Sequence, residues 1–313
     1  MERRRIQLIA GTTYSVSLPK EWVKKNNLKE KNEIIFHEGN DRTLILSSHL
    51  SESKKYKDIT LNIDDYLGNI EQILFSVYYL GFENISLFSK KEITKDAETK
   101  IRKALSNMSG TEIAYEDKNS IKIKVLLDKA KIDLLQVIYR IILIIESSIE
   151  SLMGSFNIEE IRMNENEIDR LYHLISKIVS LSLTDSAILL SSNIKYASLI
   201  PSYFLIGKKL ENIADNINLI SESLNSGKFE HSKEILQFTR ESMDRCAKAL
   251  IGKKDKVFEK TKADRLNHVN SLISGIKDKS VLNYMDDIVR YIVDVEEEIV
   301  IISFYNRLFD GSV

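Results

Sequence analysis

Apolar residues recur every three or four positions, almost without a break, from residue 127 to residue 313. That period winds an apolar stripe along an α-helix, and several such helices must bury their stripes against one another. Six segments carry it: Ile132 to Met153, Ile161 to Leu183, Tyr196 to Leu224, Lys233 to Leu250, Lys256 to Ser274 and Val281 to Phe309. Only 2 Pro and 11 Gly in 313 residues leave few points at which a helix must stop. The polar break Asn225-Ser226-Gly227 falls near the middle of the region, so the pattern predicts two three-helix bundles in tandem, 127–224 and 228–313. The most apolar run, Val137 to Ile149, contains Arg140 and Glu146 and is too short for a bilayer. It reads as a buried bundle helix and not as a membrane-spanning one.

The chain upstream has a different texture. Residues 58–126 alternate strand-like and helical stretches: DITLNI, NIEQILFSVYYLGF, NISLFS, AETKIRKALSNM, TEIAYED and SIKIKVLL. That order predicts a small α/β domain of two helices on a sheet. Gly68, Gly81 and Gly110 stand alone, so it holds no glycine-rich phosphate loop; a connector or dimer platform is the expected role. Residues 49–57 (HLSESKKYK) read as a polar linker. Residues 1–48 read as strands around one short helix. Arg5 to Ala10 is extended, Gly11-Thr12-Thr13 turns, Tyr14 to Leu18 is a strand, and Pro19 opens a helical turn over Lys20 to Asn26. Glu33 to Glu38 and Thr43 to Ser48 then pair across the turn Gly39-Asn40-Asp41. So short a unit cannot bury much surface alone, which predicts a homodimer through this end.

The single cysteine, Cys246, excludes an internal disulfide and any thiolate metal cluster, and it suits a reducing cytoplasm. Met1 is followed by Arg3-Arg4-Arg5 and no signal-like apolar run. The expectation is a soluble cytoplasmic protein. Its net charge of −1 conceals a basic head, since residues 1–48 hold nine basic against six acidic side chains. Such a head suits a polyanionic partner.

Chemistry concentrates in two segments. Glu165 and Asp169 in NENEIDRLYHLI, and Glu211 and Asp215 in KKLENIADNINLI, are each spaced i, i+4 and so share a helix face beside inward-packing apolar residues. Acids at the margin of an apolar stripe call for a positive partner, and a metal ion is one. Glu167 and Glu222 are outer candidates, and His173 could approach the same face. The second half repeats the pattern imperfectly. Asp264 and Asp294 align with Asp169 and Asp215, and His268 with His173, but Lys260 and Arg290 replace the two glutamates. Those cations predict internal neutralisation and a degenerate second centre.

LENIADNINLI and MNENEIDRLYHLISKI resemble the paired carboxylate motifs of the PhoU family of phosphate-signalling proteins. The resemblance covers about residues 127–313 and implies tandem three-helix bundles with a multinuclear metal centre. Carboxylates alone favour Mg, Mn or Fe. Separately, TTYSVSLPKEWVKKNNLKEKNEIIFHEGN resembles the AbrB/SpoVT swapped-hairpin DNA-binding domain, with Lys31-Asn32 in place of its usual Gly-Asp. Lys31 would be strained if that turn requires a positive φ. This resemblance implies DNA contacts from Arg3, Arg4, Arg5, Thr12, Thr13 and Ser15, with Lys20, Lys24 and Lys25 nearby, and a dimer-core role for Trp22.

Together the two resemblances imply a multidomain chain: a small β swapped-hairpin domain, a small α/β domain and an all-α body. The function they imply is a phosphate-responsive, DNA-binding transcriptional regulator with a metal-binding body. The alternative is a non-DNA-binding dimeric adaptor that docks on a phosphate transporter or a sensor kinase. No Glu-x-x-His pair, Ser/His/Asp set or Cys/His set is present, so no enzymatic activity is expected.

Overall fold

The structure, a computed structural model, describes residues 3–38, 44–47, 58–223, 233–250 and 278–309, with Asn267, Asn270, Ser271, Ile273 and Ile276. The turn at 39–41, the linker at 49–57, the break at 225–227, Lys260, Asp264, His268 and most of the Lys256 to Ser274 segment lie outside them. The chain forms two compact units, Met1–Lys54 and Lys55–Val313.

In the first unit β1 (Gln7–Ile9) pairs antiparallel with β2 (Thr13–Ser15), Gln7 lying opposite Ser15. The strand expected over Tyr14 to Leu18 thus starts one residue earlier and stops at Ser15, because β1 offers only three residues to pair with. Ala10 and Gly11 take φ of 51° and 73°, and the Thr12 N–H donates to the Ile9 carbonyl. Those signs of φ belong to a turn whose twist matches the flanking strands. Helix α1 (Lys20–Lys25) follows. Pro19 precedes it with extended ψ, and its carbonyl accepts the first helical bond from Val23 at 3.0 Å, so it caps the helix from outside. Strands β3 (Ile35–Glu38) and β4 (Leu44–Ser47) make a second antiparallel pair. None of the unit's residues of described burial is buried.

The second unit begins with a four-stranded sheet of order β5-β6-β8-β7. Its elements are β5 (Asp58–Asn62), α2 (Ile70–Tyr79), β6 (Asn84–Phe88), α3 (Lys95–Ser106), β7 (Thr111–Glu116) and β8 (Ser120–Val125). Strands β5 and β6 run parallel and the other pairs antiparallel. Strict alternation in β8 buries Ile121, Ile123 and Val125 against Leu74, Tyr78 and Ile101 of the two helices, leaving Lys122 and Lys124 exposed.

The helical body comprises α4 (Leu134–Met153), α5 (Ile158–Ser182), α6 (Ser186–Ser191), α7 (Ile200–Ser223), α8 (Lys233–Leu250) and α9 (Lys279–Phe309). Asp133, Asn157 and Asp185 cap α4, α5 and α6 by accepting from backbone N–H groups in their first turns. Helix α6 occupies a stretch the apolar period leaves blank, and a 3-10 turn (Ala197–Leu199) takes the start of the segment predicted from Tyr196. Two helical turns are too short to show a period, although Ile188, Ile194 and Leu199 are buried there. One apolar core runs through α4, α5, α7, α8 and α9, joining residues of both predicted halves. Helix α7 packs antiparallel to α9, as the Tyr196–Tyr305 ring contact at 5.4 Å and the Lys209–Asp294 ion pair at 2.8 Å show. Among the described residues no helix is long and apolar enough to cross a membrane.

Lys31 has φ of 72° as the third residue of a turn closed by Asn32 N–H on the Lys29 carbonyl at 3.1 Å. The Asn32 side chain accepts from the Lys29 N–H at 2.6 Å and holds that turn shut. A positive φ at the third position suits glycine, and a side chain with a Cβ costs about 1 kcal/mol there. Lys31→Gly should therefore stabilise the first unit by about 1 kcal/mol in urea unfolding followed by circular dichroism.

Candidate functional site

Helices α5 and α7 lie antiparallel, with Arg162 reaching Glu222 at 3.3 Å near one end and Tyr172 meeting Phe204 near the other. Both carboxylate pairs fall between these contacts. Carboxylate oxygens of Glu165, Asp169 and Asp215 lie within 4.8 Å of one another, all three residues being half-buried. Burial raises all three pKa values. For Asp169 the charges of Glu165 and Glu211 add to it, and for Asp215 those of Glu211 and Asp169, bringing each to about 7. Glu165 rises for the same reason, Asp215 being its chief repulsive neighbour. Lys208 opposes the rise at both aspartates, and Lys103 of α3 opposes it at Glu165 and Asp169. The centre thus lies where the bundle meets the α/β layer.

The fourth candidate stands apart from this group. The Lys208 ammonium holds the Glu211 carboxylate at 2.6 Å, only 12% of that side chain being exposed. Glu222 is occupied by Arg162, and Glu167 by Arg170 and Arg140 at 2.7 Å each. His173 faces the α/β layer. Its ring stacks on Phe75 at 3.8 Å, and its Nδ1 meets the Tyr79 hydroxyl at 2.5 Å. Burial and the Lys208 charge push its pKa down to about 4, so the ring is neutral. Three oxygens carrying excess negative charge, with the imidazole turned away, match what hard cations bind.

In the second half, Asp294 is neutralised as expected, but by a different residue. Its partner is Lys209 of α7, while Arg290 pairs with Asp286 at 2.7 Å. Helical side chains lean towards the N-terminus, which carries Arg290 back to residue 286 and away from Asp294.

Lys177 escaped sequence analysis altogether. Its side chain is 1% exposed, and its Nζ donates to the Tyr78 carbonyl at the C-terminal end of α2 at 3.0 Å and lies 3.7 Å from the Tyr78 ring centroid. Burial, with repulsion from Lys129, lowers its pKa to about 7. Gly81 (φ 87°) brings α2 this close to α5, since a Cβ there would lie 2.9 Å from Leu181. A lysine within an apolar helical period reads as a solvated break, so only the packed α/β layer reveals it.

The head candidates are on the surface. Arg3, Arg4, Arg5, Thr12, Thr13, Lys20, Lys24 and Lys25 are exposed, and Ser15 and Trp22 half-exposed. Large apolar side chains lie bare among them, with Tyr14 74% and Ile6 71% exposed.

Residues 7–58 match the family described as antidote-toxin recognition MazE, bacterial antitoxin. This supports an AbrB-like swapped-hairpin domain at the N-terminus. The match does not extend to the helical body. No curated protein and no solved structure matches the chain.

Two pH windows follow. Asp169 and Asp215 are raised from 3.8 to about 7, so they favour the fold below pH 4 and lose that contribution as pH rises through 7. Asp215→Asn should therefore stabilise the protein by about 1 kcal/mol at pH 8, after solvent screening, and flatten the decline in melting temperature between pH 4 and 7. Lys177 is lowered from 10.5 to about 7, so its cost is full below pH 7 and fades as pH rises towards 10.5. Lys177→Met should melt higher than the wild type at pH 6, by about 2 kcal/mol in stability, and lose this advantage near pH 10.

Proposed function

We propose that this protein is a DNA-binding transcriptional regulator, dimeric through its head, whose helical body holds a metal ion and adjusts DNA binding to phosphate status. The observation that carries the reading is the MazE-type match over a head whose basic residues are exposed and which buries no residue of described burial. A unit with bare Ile6, Leu8, Tyr14, Val16 and Phe36 gains a core only by meeting another surface, and a second copy supplies one with the same pattern. Pairing would set two copies of Arg3, Arg4 and Arg5 side by side. Arginines at such an edge reach phosphates and base edges, and the Thr12, Thr13 and Ser15 hydroxyls suit phosphate oxygens.

In the body, Glu165, Asp169 and Asp215 would hold Mg, Mn or Fe. When bound, the ion would neutralise three carboxylates that now repel one another. Glu211, drawn off by Lys208, would stay outside unless Lys208 moved. The resemblance to PhoU supports phosphate as the signal and a phosphate transporter or sensor kinase as a further partner. The family's description also names toxin recognition, which favours the second reading of a head that binds protein only.

Fluorescence anisotropy with promoter DNA from phosphate-transport genes separates the two. The wild type should bind with an affinity that falls steeply as salt rises. The Arg3/Arg4/Arg5→Ala variant should lose affinity and about one unit of log–log salt slope per phosphate contact removed. Absence of binding at low salt would leave the dimeric adaptor.

A further inference from the structure

The last turns of α9 carry a second apolar stripe besides the one in the core. Val295, Ile299 and Ile302 are buried in the bundle, whereas Val300, Ile301, Phe304 and Leu308 are exposed by 43%, 48%, 59% and 50%. Exposed positions 297, 300, 304 and 307 are separated by three, four and three residues, the spacing of a seam between two helices. Among the described residues, the bundle core is met by the inner stripe and not by these four apolar side chains. The helix is anchored along this stretch by Lys209 on Asp294 and by Tyr196 against Tyr305. The stripe is therefore presented on a fixed support.

Charges at its two ends choose the occupant. Exposed Glu297 opens the stripe and exposed Arg307, which also donates to the Ser303 hydroxyl at 3.3 Å, closes it. A two-fold axis at the level of residue 302 would place position 297 of one copy against position 307 of the other, and 300 against 304. Both ends then carry opposite charges and the apolar residues fill the middle. A parallel pairing would set Glu297 against Glu297 and Arg307 against Arg307, which is repulsive. We propose that this stripe is an interface with a second copy of the chain, joined antiparallel through α9. It is independent of any pairing through the head, so the chain would be held to its copies at two places.

Sedimentation equilibrium on the full-length protein over a dilution series tests this with Phe304→Ser, Glu297→Arg, Arg307→Glu and the double variant Glu297→Arg/Arg307→Glu. All three positions are exposed, and melting curves confirm that each variant folds. Each single substitution should weaken association by about tenfold, and the double variant should restore it. Unchanged association in Phe304→Ser would overturn the interface. Loss in Phe304→Ser with no effect of the single charge reversals, or without rescue by the double variant, would overturn the antiparallel arrangement.

Discussion

Helix α5 has to bury charge on two sides. Its apolar stripe is taken up by the bundle, α7 runs antiparallel along much of its length, and α2 meets its C-terminal half. Polar residues that would be solvated on a lone helix are therefore enclosed. Some are matched by neighbours, as with Glu167 between Arg140 and Arg170, and His173 against Tyr79. The two sets that are not matched are the three carboxylates and Lys177. Their strains oppose one another in pH, since burial raises the pKa values of all three acids and lowers that of the lysine, and the transitions of Asp169, Asp215 and Lys177 centre near 7. Below pH 7 the uncompensated charge is chiefly that of Lys177, and above it that of the carboxylates on α5 and α7. On the proposed reading, a cation at the acidic cluster would offset the carboxylate charge.

The head shows the opposite economy. The second unit buries two apolar clusters of its own, but the first, built on short two-stranded pairs, buries none of its residues of described burial. Two-stranded pairs are marginal in water. Strain at Lys31 adds to the deficit.

The fold was legible wherever a period had room to declare itself. Five of the six strands and helices of the α/β layer fall within the segments that alternation and helical spacing mark, α3 starting two residues ahead of AETKIRKALSNM, and DITLNI and SIKIKVLL frame β5 and β8 closely. Helix α6 was not legible, because six residues cannot display a 3.6-residue period. At the site, the i, i+4 pairs fall on α5 and α7, and carboxylates of Glu165, Asp169 and Asp215 converge there. Spacing along one helix cannot say which of four acids a neighbouring cation removes. Glu211 was lost to Lys208 three residues earlier on the same helix, a contact that depends on the rotamer and not on the period. Lys103 and Lys177 were hidden for a different reason: both matter only because the α/β layer packs against the bundle.

The asymmetry between the two halves traces to two adjacent residues. Lys208 and Lys209 follow one another on α7 and so point about 100° apart. Lys208 turns to the first half, where a single ammonium, with Lys103 more distant, faces Glu211 and the three clustered acids. Lys209 turns to the second half, where it meets Asp294 and lies 4.8 Å from the Tyr291 ring. A like-for-like repeat would leave both centres acidic. Lys209 is instead directed to Asp294, while the three clustered acids of the first half keep an excess of negative charge. That excess, on helices already fixed by the core, is the feature on which the proposed cation site rests.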